Sequence, residues 1–190
     1  MTTYVVISGV PAAGKSTIGT ALGSRAGLPL FDKDDYLEPL LAELPPATPG
    51  GRRQLSHRAD RAFQSAVESS NGGIVVSWWK HPKSKGDSGT PTDWLGNLPG
   101  HLVEVYCKCP PHVAMARFLA RNRHPGHLDR LWSTQELSTF MELSAALGPL
   151  QIGSLVEVDC SESVDYGDVW MRLMEQCQGT QQSLERTARE

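Results

Sequence analysis

The chain has 190 residues, 39% apolar and 21% charged, which fits one globular domain with a sizeable core and excludes wholesale disorder. Its net charge of -3 lacks the cationic footprint of a non-specific nucleic-acid binder, and the densest basic stretch, 117–130, is short and mixed with histidine. No cationic segment leads into a hydrophobic signal, and no apolar run approaches the roughly 18 residues of a bilayer span. The expectation is a soluble cytoplasmic protein with neither nucleic acid nor membrane as partner, a monomer or homodimer.

Residues 4–8 are apolar and β-branched and predict a buried strand. A glycine-rich loop follows. Residues 15–26 have helical spacing, with Ile18, Leu22 and Ala26 on one face and Gly27 as the stop. Residues 28–31 predict a second strand ending at Asp32. A helix over 35–44 is stopped by Pro45-Pro46. A longer helix over 52–70 places Leu55, Ala59, Ala62, Phe63, Ala66 and Val67 on its buried side. Residues 74–78 predict a third strand, and 80–100, rich in Gly, Pro, Ser and Lys, a long loop.

Residues 101–107 predict a fourth strand. Helices follow over 110–122 and 136–147, then a fifth strand over 155–158 and a helix over 166–177. The polar tail 178–190 is expected to fray. Alternating strands and helices imply one α/β domain over 1–177, a parallel sheet with helices on both faces. Cys107, Cys109, Cys160 and Cys177 lack metal-ligand spacing and are expected to be reduced and structural.

Gly9-Val10-Pro11-Ala12-Ala13-Gly14-Lys15-Ser16 matches the phosphate-loop (Walker A) pattern G-x-x-x-x-G-K-[ST] at every fixed position, between a strand and an amphipathic helix. The glycines permit sharp turns and close approach to phosphate. Backbone N–H groups from Gly9 through Pro11, Ala12, Ala13 and Gly14 to Ser16 and Thr17, together with the helix N-terminus, form an anion nest. Proline, having no N–H, only shapes the turn. Lys15 would reach the β- and γ-phosphates, and Ser16 would offer its hydroxyl to Mg²⁺. The cofactors expected are ATP and Mg²⁺.

These residues give the chain, over about 4–177, a resemblance to small P-loop kinases of the nucleoside-monophosphate, shikimate and gluconate kinase type. It looks closest to the kinases related to chloramphenicol phosphotransferase and zeta toxins. The resemblance implies a three-layer α/β/α P-loop fold, five parallel strands with the phosphate-loop strand central, and a mobile lid over about 117–135. It implies ATP-dependent phosphorylation of a hydroxyl on a small molecule: a natural product or antibiotic, a sugar or a nucleoside. A zeta-toxin-like nucleotide-sugar kinase and a non-kinase nucleotide switch are the alternatives.

Asp32 and Asp34 follow the second strand, at the strand ends where open parallel sheets bind ligands. Phosphoryl transfer needs a base for the hydroxyl and oxygen ligands for the metal, and two carboxylates can divide those roles. The D-x-D spacing resembles shikimate kinase, and Phe31 aligns Asp34 with the base of chloramphenicol phosphotransferase. Asp34 is therefore the expected base and Asp32 the metal-side carboxylate. The alternative for Asp34 and Asp35 is helix capping, the reading preferred for Asp35. Unlike many P-loop proteins, the third strand ends without a carboxylate, leaving only Ser77 there.

Arg117 and Arg121 are four apart and share a helix face. With Arg123 they would form a basic lid, Arg121 and Arg123 on the transferred phosphoryl group and Arg117 on adenine. The alternative is a solvated basic face. His124 and His127 are expected to be loop hydrogen-bonders. On the acceptor side, Trp78, Trp79 and Lys80 follow the third strand, where flat aromatic walls suit a ring-bearing or sugar-like compound; the alternative is that one tryptophan belongs to the core and the other covers the loop. Arg52 is expected to flank the same cleft, with Arg53 and Arg58 nearby.

Overall fold

The computed structural model describes residues 2–187, with side chains described as far as Gln178. Five parallel strands lie in the order β2-β3-β1-β4-β5. They are β1 (Thr3–Gly9), β2 (Leu30–Asp32), β3 (Gly73–Val76), β4 (His101–Lys108) and β5 (Ser154–Asp159). The helices are α1 (Lys15–Ala26), α2 (Lys33–Glu43), α3 (Pro49–Glu68), α4 (Pro111–Ala120), α5 (Thr134–Leu147) and α6 (Tyr166–Thr187). This is the expected arrangement, with the phosphate-loop strand in the centre.

β1 is buried on both faces, so its side chains divide between two cores by period two. Val5 and Ile7 pack with Ile18 and Leu22 of α1, Leu137 and Met141 of α5, and Val169 and Leu173 of α6. Tyr4 and Val6 face the other way, onto Phe63 and Val67 of α3, Trp79, Trp94 and Leu150. A smaller cluster joins Leu37 and Leu41 of α2 to Leu55 and Ala59 of α3. Helices thus cover both faces. α1 lies close against the sheet at Gly19, where a Cβ would come 2.8 Å from Val76 Cγ2.

Several boundaries differ from those the pattern predicts. α2 begins at Lys33 because the Asp32 side chain accepts the N–H of Asp34 and caps it. Asp35, expected as a cap, is exposed in the first turn. α3 begins at Pro49, capped by Thr48, three residues earlier than its apolar stripe suggests. Its buried stripe is Leu55, Ala59, Phe63 and Val67, while Ala62 is exposed. α4 ends at Ala120, and α6 runs through Thr187, beyond the expected stop at Cys177. Residues 188–190 of the expected frayed tail lie outside the described residues. No helix among the described residues is long and apolar enough to cross a membrane.

The four cysteines are free thiols. Cys107, at the end of β4, shares a hydrogen bond with the Cys160 thiol just after β5, and burial adds to that bond in pushing the Cys107 thiol up. Glu104, wholly buried in β4, is a second polar feature of this core. It accepts from Ser8 Oγ, Leu150 N at 2.7 Å and Gln151 N at 2.9 Å. It thereby pins the turn before β5, where Gln151 has φ of 64°. Glu104→Ala strands these donors, and each unsatisfied buried group costs about 1–3 kcal/mol. A loss of about 3 kcal/mol, read as a fall in Tm of about 10 °C, is the expected result. A fall under about 2 °C would show that the turn is held by other contacts.

Candidate active site

Between β1 and α1 the backbone enters the positive-φ region three times, at Gly9 (130°), Ala12 (62°) and Gly14 (98°). Such alternation turns successive N–H groups to one side and makes an anion-binding concavity. At Gly9 both conformation and space demand glycine, since a Cβ would lie 2.6 Å from Cys107 O. At Gly14 nothing lies within 4 Å of a Cβ, so φ alone sets the requirement. Ala12 holds its left-handed conformation at about 1–2 kcal/mol. Pro11, Ala12, Ala13, Gly14, Ser16 and Thr17 all line the cleft.

Lys15 arches back over this loop, and its Nζ donates to Gly9 O (3.1 Å) and Val10 O (2.9 Å). Burial lowers its pKa from 10.5 to about 8, with the nearby carboxylates of Asp32 and Asp34 opposing the drop. A polyphosphate beside Lys15 favours the ammonium form, so binding takes up a proton once pH exceeds about 8. Nucleotide affinity should be flat below that pH and weaken above it, approaching about tenfold per pH unit. Titrations from pH 7 to 9.5 check this, with Lys15→Arg as the pH-independent control. A flat wild-type profile through that range would mean that Lys15 stays charged in the free protein.

Asp32 divides its carboxylate between two helices. Oδ1 accepts Asp34 N (3.1 Å), and Oδ2 accepts the Ser16 hydroxyl (2.6 Å). Burial raises its pKa, and these two hydrogen bonds oppose the rise. A serine hydroxyl and a carboxylate in contact beside the phosphate loop are hard oxygen donors of the kind Mg²⁺ takes. The donor set therefore fits that ion. Ser77, at the end of β3, instead shares a 2.6 Å hydrogen bond with Thr90, which in turn donates to Asp60 (2.9 Å).

Asp34, in the first turn of α2, is ion-paired with Arg123. Arg121 and Arg123 converge on Asp129, at 3.0 and 3.8 Å. Arg121 also stacks on Phe118, 4.0 Å from the ring centroid. Arg117 goes elsewhere, donating to Cys160 O (2.6 Å) and Ser161 O (3.2 Å). Arg121 is already extended, as the C-cap of α4. The expected shared helix face therefore does not govern where the two guanidinium groups go. The segment after α4 folds into two short 3₁₀ turns, Pro125–His127 and Asp129–Leu131. His124 Nδ1 accepts Gly126 N (3.1 Å), and buried His127 meets Glu38 at 3.1 Å, so both are the loop hydrogen-bonders expected.

These parts line one cleft of about 850 Å³. The phosphate loop, Asp32 and Asp34 form its floor, and Arg117, Arg121 and Arg123 with the following turns form a wall. Arg52 lines it too, as does Trp78, whose ring packs edge-on against Phe140 (5.2 Å). Trp132 tilts against the same Phe140 at 5.1 Å. Two expected acceptor residues are displaced. Trp79 is 5% exposed, its indole N–H bonded to Ile7 O (2.9 Å) and its ring against Phe63, so it belongs to the α3-side core. Lys80 does not line the cleft and pairs with Asp87 at 3.6 Å. Consecutive residues of an extended segment point to opposite sides, so only one of the two tryptophans can face the ligand side.

Other cleft residues escaped the sequence reading. Lys33 Nζ pairs with Asp60 (2.6 Å) and donates to Ser56 (2.8 Å). Asp60 sits on the buried face of α3 beside Ala59, and a carboxylate on an otherwise apolar stripe was the available signal. Asp129 and Trp132 lie within the expected lid and Phe140 in α5, and none of the three carried such a signal.

No protein-family model matches the chain, and no curated protein sequence matches it. Solved structures do match over almost its whole length. A presumed kinase from Chloroflexus aurantiacus J-10-fl superposes with a TM-score of 0.71 at 22% identity, covering 94% of this chain and 97% of that one. Shikimate kinase from Bacteroides thetaiotaomicron gives 0.57 at 20% identity over 93% and 98%. A sugar kinase from Janibacter sp. HTCC2649 gives 0.56 at 17% over 94% and 95%. The fold is that of the small P-loop kinases.

Proposed function

We propose that the chain is an ATP-dependent phosphotransferase moving the γ-phosphoryl group to a hydroxyl of a small molecule. The observation that carries this reading is the single cleft shared by Lys15, Asp34, Arg121 and Arg123. A nucleotide-binding loop alone would serve a switch equally well. A carboxylate able to act as base and arginines able to neutralise phosphoryl charge line that same space, which supports transfer to an alcohol. That the structural neighbours include a sugar kinase and a shikimate kinase supports a hydroxylated acceptor. Four free thiols fit a reducing, cytoplasmic setting.

In this mechanism the loop N–H groups and the α1 N-terminus hold the polyphosphate. Lys15 exchanges its two carbonyl partners for phosphate oxygens and stabilises charge as the phosphoryl group transfers. Asp34 orients the acceptor hydroxyl and takes its proton on a carboxylate oxygen. Arg123 holds that carboxylate in place, and Arg121, whose charge reaches Lys15, serves the transferred group. Ser16 and Asp32 would hold Mg²⁺, which supplies charge neutralisation across the phosphates. Arg117 lies beside the loop after β5, at the adenine end. Trp78, with Phe140 behind it, offers the acceptor a flat apolar wall.

The test is to incubate the protein with Mg²⁺ and ATP against hydroxylated metabolites, nucleosides, sugars and antibiotics, reading product mass. Gain of one phosphoryl group on one class of compound is the expected result. Slow ADP release with no phosphorylated product across the panel would overturn the reading in favour of a nucleotide switch.

A further inference from the structure

Three of the four thiols gather behind the phosphate loop. β4 and β5 run side by side, with Cys107 facing Val158. The bond from Cys160 N to Lys108 O (2.8 Å) carries that register one step past β5. The Cys160 thiol turns back along the chain and donates to Val158 O at 3.5 Å. That brings it to the level of Cys107, whose thiol it meets in a hydrogen bond. Cys109 Sγ is engaged instead by Arg117, whose Nη1 lies 3.7 Å away.

The pair touches both ends of the nucleotide site. Cys107 stands opposite Gly9 in the β1–β4 register, and a Cβ on Gly9 would lie 3.0 Å from Cys107 Cβ. Cys160 lines the cleft, and its carbonyl accepts from Arg117. The two residues are 0% and 1% exposed, so the cleft is the route by which a small reagent reaches them. The hydrogen bond from Cys107 and the charges of Arg117 and Lys15 hold the Cys160 thiol below the ordinary value, while Cys107 is held above it. A more acidic thiol beside a protonated one suits an attacking and a resolving cysteine.

We propose that Cys160 and Cys107 form a peroxide-sensing pair, joined by a reversible disulfide that weakens nucleotide binding. The Cys160 thiolate attacks one peroxide oxygen. An S–O bond forms, the O–O bond breaks, and the departing hydroxide leaves as water with the thiol's proton. The Cys107 sulfur then attacks the Cys160 sulfur, an S–S bond forms, and the second hydroxide leaves as water with the Cys107 proton. Two thiols are oxidised by two electrons and one peroxide is reduced to two waters. Closing the bond draws the sulfurs from hydrogen-bonding to covalent distance. That moves Cys160, whose carbonyl holds Arg117, and Cys107, against which Gly9 is packed with no room for a side chain. In a reducing setting such a bond is transient and a dithiol reverses it. The effect on affinity rests on nucleotide binding and not on the identity of the acceptor.

The experiment treats the reduced full-length protein with hydrogen peroxide, blocks the remaining thiols, and maps the digest by mass spectrometry. A peptide pair joined through Cys107 and Cys160, separated again by dithiothreitol, is the expected result. A non-hydrolysable ATP analogue with Mg²⁺, present during treatment, should slow the joining at least fivefold. Calorimetry should show the analogue binding the oxidised protein at least fivefold more weakly than the reduced one. Cys160→Ser, treated identically, should show a smaller change than that. No joined pair, a bond to Cys109 or Cys177 in its place, a loss of affinity under fivefold on full oxidation, or the same loss in Cys160→Ser would each overturn the proposal. Failure of the analogue to bind the reduced protein would instead count against the nucleotide reading, with the mapped bond still deciding the thiol chemistry.

Discussion

Lys15→Ala is expected to lower phosphoryl transfer by about 10²–10³-fold, the scale of losing one charge-stabilising donor from a preorganised site. The side chain is almost fully buried over the loop and bonded to Gly9 O and Val10 O, so its ammonium is held above the anion nest before any ligand arrives. Removing it leaves the loop's N–H groups and the α1 N-terminus intact. Nucleotide binding should therefore weaken less than turnover falls. Single-turnover rates and nucleotide titrations on the same preparation separate the two effects. Weakened affinity with turnover unchanged at saturating nucleotide would show that Lys15 contributes ground-state binding and that its transition-state role is wrongly assigned.

Asp34→Asn is expected to remove transfer almost entirely, by about 10³-fold or more, while ATP still binds within about twofold. The substitution keeps the shape of the side chain and its place in α2, but an amide cannot take the proton of the acceptor hydroxyl. Arg123 loses its charged partner at the same time, although Asp129 remains 3.8 Å away to hold it. Turnover measured across pH with an identified acceptor is the check. Normal turnover by a folded Asp34→Asn protein would sink the assignment of the base and move attention to Glu38, one turn further along α2.

The phosphate loop was legible in the sequence because its chemistry lies in eight consecutive residues, and the sheet because its strands are short β-branched runs between helices. Asp32 and Asp34 were legible as a pair, but not how Asp32 divides its oxygens. Sequence offered Asp34 or Asp35 as the cap of α2, whereas the cap is Asp32, two or three residues earlier and the last residue of β2. Trp78 and Trp79 were indistinguishable as letters. Only the direction of the chain leaving β3 sends one to the cleft and the other to Ile7 O. The ion pairs Lys33–Asp60 and Arg123–Asp34 were invisible for a different reason: each joins residues far apart in sequence. Partnership of that kind is settled by tertiary packing, and spacing along one helix cannot report it.

The divided carboxylate of Asp32 has a thermodynamic meaning. The helix that follows the phosphate loop, through its Ser16 hydroxyl, and the helix that carries the proposed base, through its capped N–H, hold opposite oxygens of the same group. A ligand that draws the Ser16 hydroxyl away from Oδ2 changes the charge held at the start of α2, one residue from where Asp34 turns into the cleft. The two halves of the site are then not independent compartments. Their occupancies are coupled, and by reciprocity each ligand must alter the affinity for the other by the same factor, whichever is added first.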